Sequence, residues 1–187
     1  HAAYYLESNG EAAIFDPLRE VQPYINRAEA DKAKIKYVFE THFHADFVSG
    51  HLDLAKQTGA SIVYGPTAKP SFDAVIAEDN QVFTVGECRV KAIHTPGHTM
   101  ESTCYLIIDE QGLEKGIITG DTLFIGDVGR PDLAQHVIED LTETKLASHL
   151  YDSLHNKIMP LNDNIIVYPN HGAGSACGKM MSKETTD

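Results

Sequence analysis

Apolar residues along this chain fall mainly into short, strand-sized runs. Residues 4–7 and 11–15 are two such runs joined at Asn9-Gly10, a pair that favours the tight turn of a hairpin. Asp16-Pro17 ends the second run, and residues 19–30 read as a helix. Residues 35–40 (IKYVFE) read as a buried strand, residues 52–58 as a short helix stopped by Gly59, and residues 61–64 as the next strand. Two more hairpins are predicted. One joins residues 81–85 to 88–94 at Gly86-Glu87, and the other joins residues 102–109 to 115–119 at Gln111-Gly112. The one long amphipathic pattern covers residues 139–158, with Leu141, Leu146, Leu150, Leu154 and Ile158 on a shared face. A last strand is expected at residues 164–168. Hairpins mixed with crossovers predict an α/β fold with two sheets. No repeat or low-complexity linker divides the chain, so residues 1–187 read as a single domain.

Composition narrows the field. Of 187 residues, 42% are hydrophobic and 22% charged, which leaves room for a sizeable core. No apolar run approaches the ~20 residues of a membrane span, so no membrane partner is expected. Acidic side chains outnumber basic ones 27 to 15, for a net charge of −12, and there is no basic run. Such a field repels phosphate backbones and disfavours nucleic acid. Cys88, Cys104 and Cys177 are odd in number and form no CxxC pair, which points to a reducing, cytoplasmic setting. The chain opens abruptly just ahead of a strand with no visible signal peptide. An upstream segment is therefore expected, and His1 reads as a remnant of added sequence.

Four loops carry the candidate chemistry, each directly after a predicted strand. Thr41-His42-Phe43-His44-Ala45-Asp46 follows IKYVFE, and alternate residues of an extended segment let His42 and His44 face one point. Thr95-Pro96-Gly97-His98-Thr99 presents His98 on a tight turn. Gly120-Asp121-Thr122 and Asn170-His171-Gly172 complete the set. Singly, each also reads as an ordinary turn or cap. Together, imidazoles and carboxylates at four successive strand ends point to one shared metal site.

These runs, THFHAD, TPGHT, GDTLF and NHG, resemble the metallo-β-lactamase superfamily over essentially the whole chain. The resemblance implies a four-layer αβ/βα sandwich with its metal site at the edge between the sheets. HADFVSGHLDLA, GRPDL and HGAGSACGK look most like the persulfide dioxygenases, including bacterial forms fused to rhodanese domains, with glyoxalase II more distant. The superfamily's two-metal members usually carry HxHxDH, but Phe47 stands where the last His is expected. That departure favours one metal ion per chain.

By this resemblance the ion would be Fe(II), held by His42, His98 and Asp121, with His44, Asp46 and His171 orienting ligands and water around it. His51 has the wrong offset to replace the missing imidazole. The activity so implied is oxidation of the terminal sulfur of a small-molecule or protein persulfide by O₂ to sulfite and thiol. Arg130 is expected near the substrate entrance, paired with a substrate carboxylate or with Asp132. Cys177 is expected either to carry a persulfide or to be an inert buried thiol. A homodimer and a following rhodanese domain are further expectations from relatives of this kind. The first rival reading is a zinc-dependent thioester hydrolase of the glyoxalase II type. A module with a purely structural metal and a nuclease of the same superfamily rank below it.

Overall fold

The Asn9-Gly10 turn forms as the sequence predicts, with φ of 47° and 78°, and folds β1 (Tyr4–Ser8) back on β2 (Glu11–Phe15). The computed structural model describes residues 1–134, 141–178 and 180–182. From β2 the chain enters α1 (Gln22–Ala30), later than the expected residue 19, because Pro23 suits the first helical turn, where its missing N–H costs nothing. β3 (Lys34–Phe39), α2 (His51–Thr58), β4 (Ser61–Tyr64) and a short β5 (Val75–Ile76) follow. These strands make a five-stranded sheet in the order β1-β2-β3-β4-β5, parallel from β2 onward.

The second sheet is built from the two expected hairpins. β6 (Val82–Val85), β7 (Cys88–His94), β8 (Thr103–Ile108) and β9 (Glu114–Gly120) run antiparallel, and β12 (Ile166–Pro169) adds to β9 in parallel. Between β9 and β12 lie the small ribbon β10 (Leu123–Phe124) and β11 (Asp127–Val128), then α3 (Glu143–Ser153). α3 is shorter than the predicted helix. Thr142 caps its start by accepting from the Lys145 N–H, and Leu154–Ile158 continues as a π turn. Leu141 stands ahead of that cap, outside the helix, and predicted positions 139 and 140 lie outside the described residues.

The inner faces of the two sheets meet in an aromatic-rich core. Phe15, Phe39 and Val63 from one pack with Phe83, Val90, Tyr105 and Ile118 from the other. Ala12, Ile14 and Val38 turn outward under α1 and α2, against Val21, Ala28 and Leu54. On the opposite outside, Ile93, Leu106 and Ile117 pack with Ile158 and Ile165. The result is helices, sheet, sheet, helices: the αβ/βα sandwich. Cys104 is fully buried in this core, and Cys88 is half-buried at the start of β7. Each fully buried Phe or Leu contributes about 1.5–3 kcal/mol, so the sandwich supplies a rigid frame for the loops at its edge.

Candidate metal centre

β3 and β9 end side by side, and this brings the first and third motifs together. Gly120, at φ 55°, closes β9 where a Cβ would sit 2.6 Å from Thr41 Cβ, so only glycine permits the approach. Asp121 follows directly and its carboxylate is buried. His42 Nε2 lies 3.8 Å and His98 Nε2 3.5 Å from Asp121 Oδ2, while His171 Nε2 lies 3.4 Å from Asp121 Oδ1. The four side chains are 2–7% exposed, and neither Asp121 oxygen nor His171 Nε2 has a hydrogen-bond partner. Buried polar atoms without partners are costly, and here they all face one point.

Hydrogen bonds behind the imidazoles fix which nitrogen is available. The Thr41 hydroxyl donates to Asp16 Oδ2 at 2.9 Å, so at 2.9 Å from His42 Nδ1 it accepts that nitrogen's hydrogen. His98 Nδ1–H donates to the Arg130 carbonyl at 3.1 Å. Both rings therefore turn a lone pair on Nε2 toward Asp121, the arrangement that second-shell partners give to metal-binding histidines. Burial holds the pKa of His42 well below its usual value and lowers those of His98 and His171. Burial also pushes the Asp121 carboxyl up to about 7. Neutral imidazoles around a carboxylate that is costly to ionise alone are the donor set a divalent cation satisfies. Ligand atoms of His42, His98 and Asp121 lie within 4.8 Å of one another, as do those of Asp121, His171 and Cys177.

The other expected residues divide. His44 packs against His42 with ring centroids 4.2 Å apart, but its Nε2 turns to Asp16 at 2.8 Å and to Glu40 at 3.3 Å. Burial opposes charge on His44, yet the Asp16 carboxylate and its hydrogen bond raise the pKa to about 10. Asp46, at the rim, lies 3.2 Å from His171 Nε2. His51 sits 3.6 Å from Glu40 and packs on Phe72, away from Asp121. The Arg130 side chain pairs with Asp132, Nε to Oδ1 at 3.0 Å, and donates to the Ala176 carbonyl. Cys177 lines the cavity beside Asp121, and burial pushes its thiol up to about 12.

Three residues escaped the sequence reading. In the sequence Asp16 marks only a strand end, and Glu40 only the last position of a strand. Yet Asp16 gathers Thr41, His44 and Asn170 by hydrogen bonds of 2.7–2.9 Å. His1, read as a remnant, stacks on Phe47 at 3.9 Å and joins Asp46 and His171 in a further cluster whose ligand atoms lie within 4.8 Å. An acidic residue at the end of a buried strand was the available signal for Asp16 and Glu40. No sequence signal pointed to His1.

A cavity of about 360 Å³ opens onto Asp121, His42 and His98. Phe43, Met100, Leu133, Leu141 and Ala176 give it apolar walls, with Glu101 and Asp46 among its polar groups.

A strand-end His/Asp cluster at the edge of an αβ/βα sandwich defines a metal-dependent enzyme class, and residues 1–171 match the model of the metallo-β-lactamase superfamily. This chain belongs to that superfamily, whose fold implies a divalent metal. Curated relatives at 27–35% identity are named hydroxyacylglutathione hydrolases. One is the cytoplasmic enzyme of Arabidopsis thaliana, 30% identical over 89% of this chain and 67% of its own length. The chain spans 58–67% of the length of the first five of these relatives. Among solved structures, a metallo-β-lactamase from Staphylococcus aureus superposes with a TM-score of 0.86 at 32% identity, over 99% of this chain and 55% of its own. ETHE1 from Myxococcus xanthus gives 0.78 at 28% identity, over 95% and 73%.

These relatives correct the expected activity. They are hydrolases, so the reading of an iron-dependent persulfide oxidoreductase is overturned in favour of its hydrolytic rival. The expectation rested on the stretches HADFVSGHLDLA, GRPDL and HGAGSACGK, with Phe47 as evidence for a lone ion. In the folded chain His1 packs on Phe47, ring centroids 3.9 Å apart. Among the described residues, no helix is long and apolar enough to cross a membrane.

Proposed function

We propose that this chain is the metal-binding catalytic domain of a cytoplasmic thioester hydrolase of the hydroxyacylglutathione hydrolase type. The observation that carries the reading is the cluster of His42, His98 and Asp121 at the floor of an apolar cavity, with His171 beside Asp121, in a chain whose relatives are named as hydrolases of that class of ester. His42, His98 and Asp121 would hold a divalent ion, zinc being the first to test. Such an ion, when bound, supplies a Lewis acid and lowers the pKa of water.

The remaining work falls to the chain. Phe43, Met100 and Leu133 cover the acyl and thioester carbons and keep bulk water from the reacting carbonyl. Asp46, partly exposed and 3.2 Å from His171, is placed to accept a proton from the attacking water. The departing thiol is a good leaving group, with a pKa of about 8.5, and needs little acid assistance. Cys177, un-ionised beside Asp121, adds bulk to the cavity wall without competing as a nucleophile.

The test is thiol release from a hydroxyacylglutathione and from a panel of other acyl thioesters by the zinc-loaded chain. Hydrolysis abolished in His98→Ala and Asp121→Ala is expected. A fully metal-loaded chain that cleaves no thioester in the panel overturns the reading.

A further inference from the structure

We infer that the cavity over Asp121 is a subsite for a straight, uncharged aliphatic chain, so that the acyl group cleaved here is a medium-length fatty acyl group. The inference rests on the proposed thioester hydrolysis and names the acyl class that reaction takes. It departs from the hydroxyacyl group carried in the names of the relatives.

The walls are the first argument. Phe43 is 39% and Leu133 49% exposed, so two large apolar side chains stand at the mouth, where water disfavours them. Phe43 is fixed nonetheless. Its ring packs on Tyr64 with centroids 4.6 Å apart, and its backbone N–H donates to Glu101 Oε1 at 2.9 Å. Met100 is held through its carbonyl, which accepts from His94 Nε2 at 2.8 Å. The Ala176 carbonyl accepts from the Arg130 guanidinium at 3.3 Å. Apolar side chains kept in the open by bonds behind them form a standing wall, and a hydrocarbon that covers them gains without first ordering them.

Charge is the second argument. Asp46 and Glu101 line the cavity together with Asp121, and among the described residues its lining holds no lysine or arginine. Arg130 turns its guanidinium to Asp132 and to the Ala176 carbonyl. A second carboxylate on the acyl arm would therefore be repelled. A hydroxyl lying among Phe43, Met100, Leu133 and Leu141 would lose water and find no partner on those side chains. Volume sets the length. About 360 Å³ is the share of roughly twelve water molecules at about 30 Å³ each, more than a short acyl group fills.

The experiment is calorimetric binding of straight-chain carboxylates from acetate to octanoate, the acids that such thioesters would release, to the zinc-loaded chain. Affinity should rise about two- to fourfold for each methylene added beyond butanoate. 6-Hydroxyhexanoate should bind about tenfold more weakly than hexanoate. Leu133→Asp and Leu141→Asp change partly exposed positions, which the fold tolerates, and each should flatten the rise. A parent whose affinity does not climb with chain length, or that binds none of these acids, overturns the inference. So does octanoate binding of parental strength in both variants. Thioester cleavage is read separately. A rising series without cleavage of any thioester would sink the hydrolase reading and leave an aliphatic-chain site, whereas cleavage with a flat series would keep the hydrolase and sink the inference.

Discussion

Thr41 and His42, neighbours in the chain, are also bonded side chain to side chain: the threonine hydroxyl accepts the His42 Nδ1 hydrogen at 2.9 Å and passes its own to Asp16. One carboxylate behind the site thereby sets the orientation of an imidazole in front of it. Thr41→Val keeps the shape and removes the link, so metal affinity should fall by about 10–100-fold. Thr41→Ser should restore most of it. Competition against a chromophoric chelator reads both, and an unchanged affinity in Thr41→Val would remove the relay from the account.

Adding metal should stabilise the fold through mass action. At free zinc 100-fold above the dissociation constant, the gain is about 2.7 kcal/mol. For a domain of this size, that corresponds to a rise of roughly 5–11 °C in melting temperature. Asp121→Ala should melt at the same temperature with and without zinc. Calorimetric scans in zinc and in chelator settle the matter, and equal melting of the parent in both would argue against a metal held by the folded state.

Gly97 is the hinge between the second motif and α3. It has φ 149°, and a Cβ there would sit 2.4–2.6 Å from the Cβ, Cα and N of Leu150, mostly backbone that cannot give way. Gly97→Ala should destabilise the chain by about 2–4 kcal/mol in urea unfolding and weaken metal binding as His98 shifts. A variant within 0.5 kcal/mol of the parent, on the scale of a surface change, would mean that α3 moves aside freely.

Thiol chemistry should follow pH in a defined order. Burial raises Cys104 to about 11 and Cys177 to about 12, so at pH 8 only about one thiol in 10³ or 10⁴ is ionised at those sites. Half-buried Cys88 should take up iodoacetamide first in the native chain. The other two should label slowly, gaining about tenfold per unit of added pH, until guanidinium exposes all three. Peptide mass spectrometry gives the order, and early labelling of Cys177 would show a thiolate where the structure places a thiol.

Arg130 should matter little through its side chain. Its guanidinium pairs with Asp132, and the group that steadies His98 is its backbone carbonyl. With about a third of that pair exposed to solvent, Arg130→Ala should leave stability close to the parent's and kcat/KM within a few fold. A hundredfold loss in kcat/KM would instead place the side chain on the substrate.

Much of the frame was legible in the sequence because local chemistry dictates it. The Asn9-Gly10 turn and the Gly59 stop fall where these residues put them, and the buried hairpin strands come within a residue or two of their expected limits. The four loops converge because each follows a strand that ends at the same edge. The short strands β5, β10 and β11 were missed, since two residues carry no periodicity. Asp16, Glu40 and His1 were missed for a different reason. Their partners lie across the fold, and no spacing along a chain records that Asp16 meets His44 or that His1 lies over Phe47. The choice of reaction was misjudged on the stretches HADFVSGHLDLA, GRPDL and HGAGSACGK together with Phe47, because the same ligand set at the same strand ends serves either chemistry.

The hydrogen bond from Asn170 Nδ2 to Asp16 Oδ2 joins positions 154 apart, immediately before His171. During synthesis, a chain that has emerged only through THFHAD has histidines but neither Asp121 nor the clamp that steadies the cluster. Passing ions would meet loose, fast-exchanging side chains until β12 inserts beside β9. Occupancy would then mark a finished molecule, and chains cut short before Asn170 would leave the ribosome without a lasting claim on the cell's metal.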